Sequence, residues 1–306
     1  MNFKKNILII GGTGFIGYHL AKKSLQKGWR VTSISSKLPK KIRFIPKVKY
    51  IICDITKSQE IKNKIKNSFQ YVVNLGGYVD HSNKKKTFKS HYYGCKNLAN
   101  FFLNNPPKAF VQIGSCVEYG KAKSPQKENI FCNPKLNQSV YGKAKLMSSI
   151  YLIKLFKKKK FPSTVLRLYL AYGPKQDINR FIPIIIEGCI KDRSFPCSEG
   201  SQLRDFVHVE DVVNAIFKTL KSQKARGQII NIGSGKPKKI KKIIELIRTT
   251  IKKGKPQFGK INFRKDEILK LYPNIKKAEK FINWKPKISF QKGLLSTINY
   301  YCGKRF

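Results

Sequence analysis

"NILIIGGTGFIG", residues 6–17, decides how this chain is read. Ile7 to Ile10 form a short run of branched apolar residues, the pattern of a strand buried on both faces. Gly11, Gly14 and Gly17 follow at once, and a helical period begins near residue 15. Glycines permit a tight turn and close backbone approach, while the start of a helix offers unpaired amides to an anion. Strand, spaced glycines and helix in that order are what a dinucleotide-binding loop requires. Gly11, Thr13, Gly14, Phe15, Ile16 and Gly17 are therefore candidate cofactor contacts.

Outward from this loop the pattern repeats. Strands are expected at 6–10, 30–35, 48–54, 71–76, 108–115 and 163–172, with helices at about 15–27, 57–67, 87–104 and 140–159. Such alternation predicts an α/β fold, a doubly wound parallel sheet with helices on both faces. Past Tyr172-Gly173-Pro174 the elements become irregular: a helix in "FIPIIIEGCIKD" (181–192), helices near 209–221 and 238–251, a strand at 228–233 and a last helix ending near Tyr301. The expected division is a dinucleotide-binding domain over 1–173, with 204–235 packing back on it, and a smaller substrate lobe from 174–203 and 236–306.

Composition narrows the classes. With 41% hydrophobic and 12% aromatic residues in 306, the chain has the makeup of a folded globular protein. The apolar run at residues 7–10 is too short for a signal peptide or a membrane span, and no later run reaches membrane length, so a cytoplasmic protein without a membrane partner is expected. Seven cysteines are scattered without a Cys-x-x-Cys pair, as for reduced thiols, and no metal site is expected. The formal charge of +48 raises nucleic acid as a partner. Only ten of the 64 basic residues are arginine, however, and the lysines lie in every segment. Nucleic-acid surfaces concentrate charge and use bidentate arginine, so compositional bias is the preferred reading.

A reacting centre is sought in "SVYGKAK", residues 139–145. Tyr-x-x-x-Lys occurs six times, where about 2.5 matches are expected by chance. Only Tyr141/Lys145 opens a long helix after a strand and loop, 26 residues beyond a serine at a strand end, Ser115 in "VQIGSCVEYG". Four residues apart on a helix, Tyr141 and Lys145 share a face. The ammonium is expected to lower the phenol pKa and to reach a nicotinamide ribose, and Ser115 to hydrogen-bond a substrate oxygen. Ser115, Tyr141 and Lys145 are the candidate catalytic residues, the last two also touching the cofactor.

The Gly-x-x-Gly-x-x-Gly spacing, this trio, "RLYLAYGP" (167–174), "EGSQLRDFVHVEDVVNAI" (199–216) and "NIKKAEKFINWKPKISFQKGL" (274–294) together resemble the extended short-chain dehydrogenase/reductase family, specifically its NAD-dependent epimerase/dehydratase branch. The resemblance implies a Rossmann domain, an enzyme acting on nucleoside-diphosphate sugars bound between the lobes, and a homodimer through the helices at 87–104 and 140–159. "CDI" (53–55) matches the step after the third strand, implying that Asp54, beside Ile55, contacts the adenine. Leu75, Gly76 and Gly77, at the end of the fourth strand, complete the candidate cofactor set.

Members that use NAD usually carry a carboxylate at the end of the second strand. Here no Asp or Glu occurs between Gly17 and Asp54, and Ser35, Ser36 and Lys37 could bind a 2′-phosphate instead. NADP(H) is therefore preferred, with NAD(H) as the alternative. The resemblance also implies that Arg204 and Arg264 meet the substrate diphosphate, while Asp205, His208 and Asp211 are read as hydrogen-bonding and capping residues.

Sugar 4,6-dehydratases carry Thr-Asp-Glu where this chain has Ser115-Cys116-Val117, which disfavours dehydration. Residues 258–286 resemble the ends of 4-keto-deoxysugar reductases of the CDP-abequose synthase type. Reduction of a nucleotide-sugar 4-ketone, with Tyr141 as proton donor, is the preferred reading. A 4-epimerase with tightly bound NAD is the first alternative, and a non-catalytic dinucleotide- or RNA-binding member the second. Two positions depart from the family pattern: His91 and Leu170 stand where relatives usually carry Asn.

Overall fold

The computed structural model describes residues 5–78, 80, 82–137, 139–263 and 267–303. Its strands in chain order are β1 (Lys5–Ile10), β2 (Trp29–Ser35), β3 (Lys49–Ile52), β4 (Tyr71–Asn74), β5 (Ala109–Ser115), β6 (Ser163–Leu168), β7 (Leu170–Tyr172), β8 (Ser194–Pro196), β9 (Leu203–Arg204), β10 (Phe206–His208), β11 (Ile229–Ile232), β12 (Lys238–Lys239), β13 (Lys255–Gln257) and β14 (Lys270–Leu271). The helices are α1 (Phe15–Gln26), α2 (Ser58–Lys64), α3 (Lys84–Phe88), α4 (Gly94–Phe101), α5 (Val140–Lys159), α6 (Phe181–Ile190), α7 (Val209–Lys221), α8 (Ile240–Ile251), α9 (Lys276–Ile282) and α10 (Phe290–Tyr301).

Among the described residues seven strands form one parallel sheet in the order β11-β6-β5-β4-β1-β2-β3. β1 shows why the sheet is covered on both faces. Ile7 and Ile9 enter one apolar layer with Leu20 of α1 and Val212 and Ile216 of α7. Leu8 and Ile10 enter the other with Ile61 of α2, Leu98 of α4 and Leu152 of α5. Successive strand residues point to opposite faces, so an unbroken Ile-Leu-Ile-Ile run needs helices on both sides. The strand order reverses at β1, between β2 and β4, which opens a crevice at the carboxyl ends of the strands.

The second half builds its own apolar cluster, in which Ile182 and Ile186 of α6, Ile243 and Ile247 of α8 and Leu294 and Ile298 of α10 interlock. Its strands are short and pair in small sheets: β12-β9-β14, β13-β8 and β10-β7.

The structure alters two expected elements. The strand expected at 163–172 is two strands, because Tyr169 makes the last link to Ile232 and Leu170 then donates to Asp205 O, moving the chain onto β10. The helix expected at 87–104 starts at Lys84 and is interrupted by a π turn over Lys89–Tyr93. Among the described residues no helix is long and apolar enough to cross a membrane.

Candidate active site

The glycine loop joins β1 to α1. Gly11 adopts φ +76°, and a Cβ on Gly17 would lie 2.3 Å from Gly11 O and 2.6 Å from Gly12 Cα. Only glycine lets the first helical turn press onto the loop this closely. Gly14 caps α1 without a side-chain hydrogen bond, so no cap group claims the amides of the first turn. The cradle fits a diphosphate. Thr13, Phe15 and Ile16 lie between these glycines, partly buried.

Around this cradle stand the other candidate cofactor residues. Ser35 ends β2 and accepts a hydrogen bond from Thr13 N at 3.5 Å, while Ser36 and Lys37 are exposed. Further along the chain after β2, Lys40 and Arg43 pair with Asp177 at 3.8 Å and 3.1 Å. Asp54 uses Oδ1 to accept from Thr56 N and Oγ1, which fixes the turn after β3 beside buried Ile55. Leu75 continues from β4, Gly76 N donates to Asn74 Oδ1, and Gly77 takes φ +151° against the ring of His91.

Ser115, Tyr141 and Lys145 are brought together. Ser115 is the last residue of β5 and the cap of a 3-10 turn, Cys116–Tyr119. Ser139 caps α5 by accepting from Gly142 N, which places Tyr141 and Lys145 in its first two turns. Tyr141 hydrogen-bonds with the Ser115 side chain and meets the His91 ring edge-on at 4.8 Å between centroids. Lys145, only 3% exposed, donates to Ile113 O at 2.7 Å and sits 5.8 Å from the Tyr141 ring centroid.

The electrostatics differ from the sequence expectation. Burial pushes the Tyr141 phenol up to about 12, against the Ser115 hydrogen bond and the field of Arg180 at the mouth of α6, both of which favour the phenolate. The lysine does not bring it below its usual value, because the ammonium is turned to the Ile113 carbonyl. Burial also draws Lys145 down to about 8, opposed by the Glu118 carboxylate. A phenol kept protonated beside a serine hydroxyl is equipped to donate a proton to an oxygen held between them.

Arg204 lies on β9, partly buried; it donates to Leu203 O at 3.0 Å and is ion-paired with Glu267. Arg264 lies outside the described residues. Asp205 accepts from Ser234 N and Oγ, His208 caps α7, and Asp211 accepts from Lys287 N and Ile288 N. Leu170 is 37% exposed at the start of β7.

Sequence reasoning missed Glu118. Its carboxylate accepts from Ser115 N at 2.8 Å, Ser149 Oγ at 2.7 Å and Arg167 Nε at 2.8 Å. The signal was present in "SCVE" (115–118), the Ser-x-x-Glu of a capping box.

Comparison with known proteins agrees with this architecture. The model of the NAD dependent epimerase/dehydratase family matches residues 7–233. The chain is 26% identical, over 97% of its length and 98% of the relative's, to UDP-N-acetyl-alpha-D-glucosaminuronate decarboxylase of Bacillus cytotoxicus. It is 23% identical to CDP-abequose synthase of Salmonella muenchen, over 96% and 97%. The structure of UDP-glucuronic acid 4-epimerase from Bacillus cereus, in complex with UDP-glucuronic acid and NAD, superimposes with a TM-score of 0.86 at 21% identity, covering 97% of this chain and 99% of that one. With a glycine cradle between β1 and α1, a Ser-Tyr-Lys cluster and a family match that spans the central sheet, this chain is an enzyme of the NAD-dependent epimerase/dehydratase family.

Proposed function

We propose that the chain reduces the 4-keto group of a nucleoside-diphosphate deoxysugar with a nicotinamide cofactor, NADP(H) in preference to NAD(H). The observation that carries this reading is the Tyr141 phenol, hydrogen-bonded with the Ser115 side chain where β5 ends and pushed up by burial. Residues 1–173 with 204–235 hold the cofactor, and 174–203 with 236–306 hold the sugar nucleotide.

The glycine cradle and the open first turn of α1 bind the cofactor diphosphate. Ser35, Ser36 and Lys37 meet a 2′-phosphate, since no carboxylate lies between Gly17 and Asp54 to repel it. Asp54 and Ile55 border the adenine, and Leu75, Gly76 and Gly77 line the path to the reacting end. When bound, the reduced nicotinamide supplies the hydride. Ser115 hydrogen-bonds the substrate oxygen and holds it beside Tyr141, which passes its proton to that oxygen as negative charge develops. Lys145 keeps a positive charge next to the phenol and restrains the phenolate that results. Arg204, and Arg264 with it, grip the substrate diphosphate.

The Bacillus cereus neighbour, a 4-epimerase in complex with NAD, supports a second reading in which the same trio serves epimerisation with retained NAD. The two separate cleanly in one experiment. The nucleotide that copurifies with the protein is released by denaturation and identified, and NADPH absorbance is then followed with UDP-, CDP- and dTDP-linked 4-keto-6-deoxyhexoses. Net NADPH consumption is expected. Tightly held NAD, with UDP-sugars interconverted and no NADPH consumed, would overturn the reductase in favour of the epimerase.

A further inference from the structure

We propose that Glu118 is a positioning residue of the active site, whose buried carboxylate fastens Ser115 to the face of α5 that carries Tyr141 and Lys145. The inference rests on the reading of those three residues given above.

Tyr141, Lys145 and Ser149 are spaced by four along α5 and therefore share one face. Ser149 Oγ gives its proton to Glu118 Oε2, and Arg167 Nε, from β6, donates to the same oxygen. The other oxygen, Oε1, accepts from the backbone N–H of Ser115. One carboxylate thus joins the ends of β5 and β6 and the reactive face of α5. Its side chain is wholly buried and that of Arg167 is 3% exposed.

The surroundings are shaped for this group. A Cβ on Gly114 would stand 2.4 Å from Glu118 Oε1, so glycine at that position makes room for the oxygen. The Arg167 guanidinium lies over the Tyr119 ring at 4.4 Å. Burying an ion pair removes two charges from water, and apolar replacements often match or exceed its stability. Stability is therefore a weak reason to keep it, and control of geometry and charge beside Ser115 is a stronger one.

The groups that face the carboxylate are Arg167, Ser149, Lys145 and Tyr141, with the thiols of Cys95 on α4 and Cys132 within its field. Lys145 is faced by Glu118, by the Cys95 thiol, by the Tyr141 ring and by the Ile113 carbonyl. Burial draws Lys145 down to about 8, and the Glu118 carboxylate works against that fall and keeps it from going further. An amine with this value is charged below it and loses its proton as pH rises through it. Neutralising Glu118 therefore moves the loss of the Lys145 charge, and of the activity that needs it, to lower pH.

The test compares Glu118→Gln, Ser149→Ala and Tyr141→Phe in pH-rate profiles with NADPH and the panel of 4-keto nucleotide sugars. E118Q is expected to lower kcat roughly tenfold to hundredfold with KM little changed, and to shift the alkaline limb down by about one pH unit. S149A loosens one tie and keeps the charge, so kcat falls a few-fold and the limb stays in place. An E118Q enzyme with the wild-type kcat and limb overturns the proposal. If E118Q does not fold, S149A decides alone, and its wild-type kcat overturns the proposal. Y141F keeps the two failures apart: a wild-type protein inert on the whole panel, or Y141F with full activity, sinks the reading of the site, whereas a dead Y141F beside an unaltered E118Q sinks only the role of Glu118.

Discussion

Ser115 and Arg204 are held in different ways. Ser115 ends a central strand: β4 and β6 flank it, Glu118 fixes its amide, and the helix that brings Tyr141 packs directly on the sheet. Arg204 sits on a two-residue strand in a small sheet and is held by a carboxylate 63 residues away, Glu267. The first side chain inherits its position from regular structure that forms whether or not a ligand is present. The second is tied to an acidic side chain, Glu267, whose place the substrate diphosphate takes in the proposed reading. In the proposed reading the sheet-held serine serves the chemistry and the ion-paired arginine serves recognition.

The comparison can be broken at three points, beginning with the largest expected effect. His208 caps α7 at the end of β10, and burial pushes its imidazole down to about 4 against the pull of Asp211. In the unfolded chain the ring takes a proton near 6.5, so below that value the unfolded state binds more protons and stability falls with pH. The loss should approach about 3 kcal/mol by pH 4, and thermal unfolding of His208→Asn, which keeps a capping side chain, should show a flatter decline. Equal slopes in both proteins would remove His208 as the source of the acid loss.

On the sheet-held side, Gly17→Ala places a methyl group against the backbone of Gly11 and Gly12. Overpacking of about 1–3 kcal/mol should weaken NADPH binding roughly tenfold to hundredfold by fluorescence titration while the fold persists. Unchanged affinity would mean that the cradle is not where the cofactor binds. On the paired side, Arg204→Ala should raise KM for the nucleotide sugar about tenfold and leave kcat nearly intact, because the lost contact serves ground and transition states alike. An unchanged KM would leave Arg204 as the partner of Glu267 and nothing more.

Much of the reactive half was legible in the chain. The run at residues 7–10, the glycine spacing and the strand-helix alternation carry the sheet and its cofactor loop, since each signal spans only a few neighbouring residues. Tyr141 and Lys145 could be paired for the same reason, being one turn apart. The split of the strand expected at 163–172 was not legible, because Leu170 leaves the main sheet only to meet Asp205, a residue 35 positions later. The π turn at Lys89–Tyr93 was hidden for a related reason: the chain there packs His91 between Gly77 and Tyr141, and no local pattern announces such a contact.

By itself, then, the sequence determined the layered α/β architecture, the glycine cradle and the helix face shared by Tyr141 and Lys145, all consequences of short-range periodicity and backbone sterics. Only the tertiary structure decided the charge states at that face. They depend on burial and on groups brought in from elsewhere in the chain, Glu118 near both side chains and Arg180 near Tyr141. Desolvation and Coulomb interactions are set by distance in space, and so the phenol expected to be acidic is instead held protonated.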